Sequence, residues 1–194
     1  MVRILLGSIV GGFAQWIVGA IFWGTPLGRI AFHVANDTAN ANVQLALAQN
    51  LTPTGTGTYY VPWPDTTQGT IMHGKGPVAL IHFNTSGFPV MSGASLIEGL
   101  ILSIVSILLI GLALHGVGAR VQDFASRVKL VVFFSVAATL YFTIGQPVFN
   151  YYLPWGYFLY LALSQVLGLI AGGLVLVRWF MPRSAAAAPA ETMH

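Results

Sequence analysis

Four long stretches of apolar residues divide this chain, separated by polar segments rich in glycine and proline. The stretches run from about Ile4 to Trp23, Leu96 to Leu114, Leu130 to Ile144 and Tyr157 to Val177. A helix needs about 20 largely apolar residues to cross the hydrocarbon of a bilayer, and the third stretch, the shortest, comes nearer to that length if it begins at Val128. The pattern therefore predicts an all-α membrane protein with four transmembrane helices.

The first apolar stretch follows Arg3, as the apolar region of a signal peptide would. Such a region has only about 7–15 residues before a cleavage site with small side chains. Here the apolar run continues past the candidate site Val18–Ala20 as far as Trp23. We therefore expect residues 1–24 to form a retained transmembrane helix.

The segment between the first two apolar stretches has a pattern of its own. Apolar residues recur at helical spacing between Ala39 and Leu51, which predicts a short amphipathic helix. Tyr59–Val61 and Val78–Phe83 are typical of strands, with a polar loop between them. One helix and two strands would make a small α+β extracytoplasmic cap. The chain is thus expected to divide into transmembrane helix 1 (1–24), the cap (25–94), transmembrane helices 2–4 (95–182) and a disordered cytoplasmic tail (183–194).

The composition agrees with a membrane protein, because 56% of the residues are hydrophobic and only 7% are charged. A soluble domain carries about 25% charged residues. The net charge is +3, but the basic residues fall mainly beside apolar stretches, so they indicate topology and not a nucleic-acid surface. Those that flank the predicted helices on one side are Arg3, Arg120, Arg127, Lys129, Arg178 and Arg183. By the positive-inside rule, both termini and the 115–129 loop are expected in the cytoplasm.

The chain offers few groups for metal or cofactor chemistry. It has no cysteine, which excludes disulfides, thiolate ligands and a cysteine nucleophile. Imidazoles and carboxylates that would bind zinc or copper if they converged are His33, His73, His82, Asp37 and Asp65. Their spacing matches no ligand motif. We expect no metal site and no cofactor.

Glu98 is an acid near the start of the second predicted transmembrane helix. Ser95 and Glu98 have the spacing of a capping box, in which Ser95 caps the helix and Glu98 reaches back to it. The alternative is a lipid-modifying enzyme at the outer interface, acting through Glu98, His73, His82 or Asp65. No complete catalytic set accompanies these residues, so we expect that the protein is not an enzyme.

Small and polar residues within the apolar stretches indicate how the helices associate. Glycines at the spacing that permits close helix approach are Gly7, Gly11 and Gly12 in helix 1 and Gly168 and Gly172 in helix 4. Polar side chains within the helices are Gln15, Thr139, Thr143 and Gln165. These would either form hydrogen bonds between helices or line a polar path. In the cap, Trp63 between two prolines is either a docking residue for a partner or a tucked structural corner.

Three short motifs resemble a group of uncharacterised bacterial inner-membrane proteins. They are Gly57-Thr-Tyr-Tyr-Val-Pro62, Gly76-Pro-Val-Ala79 and Pro89-Val-Met-Ser92. The resemblance covers about residues 40–115. It implies a bacterial inner membrane, with the cap in the periplasm and the same arrangement of helices. It implies no activity and no functional residue.

These observations favour a non-catalytic accessory, assembly or stabilising subunit of a larger membrane complex. Respiratory and photosynthetic assemblies would be natural hosts, and nothing in the sequence selects between them. Other membrane-protein subunits and the lipid bilayer are the expected partners. The alternative is a small oligomeric transporter or channel that moves an apolar or weakly polar molecule past Gln15, Gln165 and the helix-3 threonines.

Overall fold

The computed structural model describes residues 1–182, and the predicted tail of 183–194 lies outside the described residues. The elements in chain order are α1 (Val2–Gly24), α2 (Asp37–Leu51), β1 (Gly57–Val61), α3 (Thr67–Lys75), β2 (Ala79–Phe83), α4 (Gly93–Gly116), α5 (Phe124–Thr139), α6 (Gly145–Phe149) and α7 (Trp155–Val175). A 3-10 turn, Pro26–Ala31, follows α1. Two π-helical segments, Leu140–Ile144 and Leu176–Phe180, join α5 to α6 and extend α7.

Within residues 1–182, four helical spans are long and apolar enough to cross a membrane. They are Val2–Gly24, Gly93–Gly116, Phe124–Phe149 and Trp155–Phe180. The prediction of four transmembrane helices is confirmed, and the chain is a multi-pass membrane protein.

All four spans begin earlier than the apolar pattern predicts, and polar side chains cap two of them. The carboxylate of Asp123 accepts the backbone N–H of Ser126 at 2.8 Å, so α5 begins at Phe124. The hydroxyl of Ser92 accepts the N–H of Ser95 at 3.3 Å, so α4 begins at Gly93. The predicted capping box is therefore wrong, since Ser95 lies inside the helix as a donor to the true cap.

Helix α1 packs along both α4 and α7. Helix α5 packs on α7, whereas α4 meets α5 and α7 at only a few positions. Successive spans alternate in direction, so one end of the bundle carries a cluster of basic residues. This basic end is defined by Arg3, Arg120, Arg127, Lys129 and Arg178.

The best-packed part of the bundle lies in the half toward the basic end. Ile107, Leu114, Val131 and Leu176 are fully buried there and form one cluster. Arg127 is also buried, and its guanidinium donates to the carbonyl of Val121 at 3.0 Å and to that of Pro182 at 2.5 Å. This half therefore holds the four spans together.

The cap contains the two predicted strands, paired antiparallel with Gly57 opposite Phe83 and Val61 opposite Ala79. The predicted polar loop between them is wrong in part, because residues 67–75 form helix α3. The Thr66 hydroxyl starts this helix by accepting the N–H of Gly69 at 2.9 Å.

Aromatic contacts join the cap to the end of the bundle opposite the basic residues, here the cap end. Phe32 packs against Trp23 and Tyr157, with ring centroids 6.3 and 5.6 Å away. Tyr60 of β1 stacks on Tyr152 at 4.9 Å, in the turn that precedes α7. The partial burial of this phenol raises the pKa of Tyr60 above its usual 10.0, with Tyr152 adding to the shift.

Candidate functional site

The glycines of α1 bring two other helices into backbone contact with it. A Cβ placed on Gly11 would lie 2.6 Å from the carbonyl oxygen of Gly172 in α7. One placed on Gly12 would lie 2.5 Å from the Cα of Ile104 in α4. Gly7 lies equally close to the side chain of Phe180. These small residues therefore serve packing within the chain, where close approach supplies van der Waals attraction between membrane helices.

Toward the cap end the same three helices line a half-open cavity of about 650 Å³, here called the cleft. Its volume falls in the range of ligand pockets, about 300–1,000 Å³. The wall is mostly apolar, and its polar side chains are Gln15, Ser103, Ser164 and Gln165. A pocket of this make-up, apolar with a few polar groups, is the usual form of a small-molecule site.

Two indole rings form part of the cleft wall, and hydrogen bonds hold each of them. The Nε1–H of Trp16 donates to the carbonyl of Leu96 at 3.1 Å. The Nε1–H of Trp23 donates to the hydroxyl of Ser164 at 3.2 Å. Because each ring is tied to another helix, α4 or α7, the cleft is lined by oriented rings.

The predicted polar residues meet at the inner boundary of the cleft. Thr143 donates its hydroxyl to Oε1 of Gln165 at 2.5 Å, which links α7 to the π segment after α5. Gln15 and Gln165 line the cleft. The same two side chains also line a second cavity of about 270 Å³, whose wall includes Thr139 and Thr143. Of the two interpretations of these side chains, the interhelical hydrogen bond holds for Thr143 and Gln165.

Gln15 has no such partner. Its Oε1 atom is buried and accepts no hydrogen bond among residues 1–182. Its side chain lies over Gly168, whose added Cβ would be 3.4 Å from Cγ of Gln15. Buried polar atoms in proteins are nearly always paired, so this acceptor is unusual among the described residues.

The groups considered for metal binding or catalysis are placed elsewhere. In the described residues, no three of the His, Asp and Glu side chains gather as a metal site. His73 bonds the hydroxyl of Tyr60 through Nε2 at 2.6 Å, and His82 bonds that of Thr58 through Nδ1 at 3.0 Å. Glu98 is exposed on the first turns of α4. His73 and His82 thus hold cap elements together.

Trp63 lies on the outside of the cap, with 60% of its surface exposed. Its backbone carbonyl lies directly against Gly69, where a Cβ would have no room, so α3 folds onto this turn. Its ring meets that of Tyr60 edge-on at 6.3 Å. The turn is therefore anchored through its backbone while the indole remains available.

Of the residues that line the cleft, sequence reasoning singled out only Gln15, Gln165 and Gly168, and it missed the rest, including Trp16 and Gly99. A signal for part of the wall was present. Trp16, Gly19, Ala20 and Trp23 are spaced at three, four and seven residues, which places them on one face of α1. Small residues between two indoles on one face indicate a notch in the helix surface.

Comparison of the chain with models of known families, with curated proteins and with solved structures found no match.

Proposed function

We propose that this chain is a non-catalytic accessory, assembly or stabilising subunit of a larger membrane protein complex. A respiratory or photosynthetic assembly in a bacterial inner membrane is the proposed host. The observation that carries the proposal is helix α2 of the cap, because it lacks a packing partner within residues 1–182.

Helix α2 has 15 residues, and none of them is buried in the described part of the chain. Val43 and Leu45 are 58% and 56% exposed. A helix of about this length is marginal on its own in water, since most helical stability in proteins comes from packing. A partner that covers α2 would supply that packing, and Trp63 adds exposed aromatic surface to the same cap.

The proposed orientation places the basic end in the cytoplasm and the cap in the periplasm. Arg3, Arg120, Lys129 and Arg178 at that end support it through the positive-inside rule. The chain has no cysteine, so single-cysteine variants need no altered background. In intact spheroplasts, a cysteine at Thr85 should react with a membrane-impermeant maleimide. The reverse orientation would instead expose one at Arg120.

The test of the subunit proposal is a photo-crosslinking amino acid at Val43 in the full chain, activated in native membranes. A partner on α2 should give an adduct of one discrete protein mass. The same crosslinker at Ser86, which is exposed in the cap but not on α2, is the matched control. Adducts with lipid alone at Val43 would contradict the proposal, because α2 would then rest on the bilayer.

A second candidate is a small transporter, favoured by the two cavities that share Gln15 and Gln165. The packed cluster around Ile107 and Leu176 fills the half toward the basic end, so transport would require the helices to move. Replacing Gln15 and Gln165 together by leucine should abolish flux in liposomes, whereas Gln146→Leu, outside both cavities, should not. Unchanged flux in the double variant would remove this candidate.

A further inference from the structure

We infer that the cleft between α1, α4 and α7 binds a neutral, lipid-soluble molecule that carries a hydroxyl group. The inference concerns a ligand and does not depend on whether the chain is a subunit. It stands on the shape of the cleft, the absence of charge in its wall, and the unpaired Gln15 amide.

The shape of the cleft suits a mostly apolar molecule. The cavity of about 650 Å³ lies beside lipid-facing helices, and Leu96, Leu161 and the two indoles supply apolar wall. The added Cβ of Gly19 would meet nothing within 4 Å, and that of Gly99 would meet Trp16 no closer than 3.8 Å. The two glycines therefore leave room that larger side chains would fill.

The wall requires a neutral molecule. In the described part of the chain, neither cavity is lined by an Asp, Glu, Lys, Arg or His side chain. A charged group placed at this depth would have no counter-ion, and an unpaired charge away from water is strongly unfavourable. A carboxylate or ammonium head group is therefore disfavoured.

The amides at the inner boundary specify the head group. Oε1 of Gln15 is a buried acceptor without a donor among residues 1–182, and because it is closed to a water-sized probe, the side chain has to turn toward the cleft to accept from a bound group. Oε1 of Gln165 already accepts from Thr143, which leaves its NH₂ group as a donor. The hydroxyls of Ser103 and Ser164 donate to carbonyls of their own helices at 2.9 and 2.8 Å. The boundary thus combines the Gln15 acceptor with the NH₂ donors of Gln15 and Gln165, and a hydroxyl both donates and accepts.

The experiment uses the purified full chain in nanodiscs and a hexadecanol that carries a photoreactive diazirine in its tail. Adducts should map to peptides of α1, α4 and α7. Unlabelled hexadecanol should compete about fivefold better than hexadecane or hexadecanoate, the ratio expected from one neutral hydrogen bond. Gln15→Met should remove this preference for the alcohol, and Gln146→Met, an exposed glutamine on α6, should keep it.

A filled cleft provides an independent arm of the test. Gly19→Phe should abolish labelling, because it places a ring in open space without a backbone clash, whereas Gly156→Phe at the exposed start of α7 should label normally. Equal competition by alcohol and hydrocarbon, or an unchanged preference in Gln15→Met, would overturn the hydroxyl assignment, since Gln15 would then pair with water. Labelling that persists in Gly19→Phe would overturn the site itself. The crosslink from Val43 to a partner protein, which tests the subunit proposal, does not depend on either of these results, so the two proposals can fail separately.

Discussion

Replacing Gly12 by alanine should destabilise the bundle by separating α1 from α4. The added Cβ would lie 2.5 Å from Cα and 2.6 Å from N of Ile104. Carbon atoms pack best at about 3.5–4.0 Å, so the two backbones must move apart by about 1 Å. Both close atoms belong to the main chain, so no side-chain rotation can relieve the contact.

The size of the effect follows from the cost of overpacking. Forcing one extra methyl into a well-packed interior costs about 1–3 kcal/mol when backbone must shift. Gly19→Ala on the same helix is the matched control, because its Cβ meets nothing within 4 Å. Both variants share the gain of about 0.5–1 kcal/mol that alanine brings to a helix over glycine. The difference between them therefore isolates the clash, at ~1–3 kcal/mol.

The assay is unfolding of the detergent-purified chain by added sodium dodecyl sulfate, followed by far-ultraviolet circular dichroism. The free energy of unfolding of Gly12→Ala should fall below that of Gly19→Ala by the stated amount. Equal stability of the two variants would refute the close α1–α4 contact. Helix α1 would then not pack backbone to backbone against α4 at Gly12.

Three further predictions use the same assay. Arg127→Ala should lower the free energy of unfolding by about 1.5–3 kcal/mol, the value of a hydrogen bond to a charged group. Arg127→Lys should recover only part of this loss, because lysine lacks the second donor arm. Full recovery would refute the binding of two carbonyls by Arg127. Thr143→Val should lower the free energy of unfolding by about 0.6 kcal/mol, because it removes the hydrogen bond to Gln165. Ser135→Ala, which removes a hydrogen bond within its own helix, should lower it by less. The reverse order would refute the interhelical bond. The carboxylate of Asp123 caps α5 by accepting from Ser126, and this hydrogen bonding lowers the pKa of Asp123 below its usual 3.8. The cap therefore stabilises the fold fully above pH 3.8, and this stabilisation is lost as the pH falls through the pKa of the folded state. Asp123→Asn should weaken that acid sensitivity, and an identical pH profile would contradict the cap.

The spans could be predicted because crossing a membrane depends on the length and apolarity of a continuous segment. Their ends could not, since a cap depends on one hydroxyl or carboxylate among several candidates. Ser92 and Ser95 both precede the apolar run, and only the backbone geometry selects Ser92. Helix α3 was missed for a related reason: its sequence is polar, and its start rests on Thr66 and on the fit of Gly69 against Trp63.

The candidate site was predictable in its polar members and not in its shape. Gln15 and Gln165 stand out because amides are rare in apolar helices. The cleft itself depends on how α1, α4 and α7 approach one another, as they do where Gly12 meets Ile104. Because this is a tertiary contact, no local pattern shows that Gly99 lies across from Trp16.

The central claim is that this chain works as a subunit. Its most direct test is purification from native membranes in a gentle detergent, with the particle sized on a native gel and its components identified by mass spectrometry. The proposal predicts a particle much larger than the 20.7 kDa chain, with a second membrane protein at fixed stoichiometry. A small particle that contains this chain alone would contradict it.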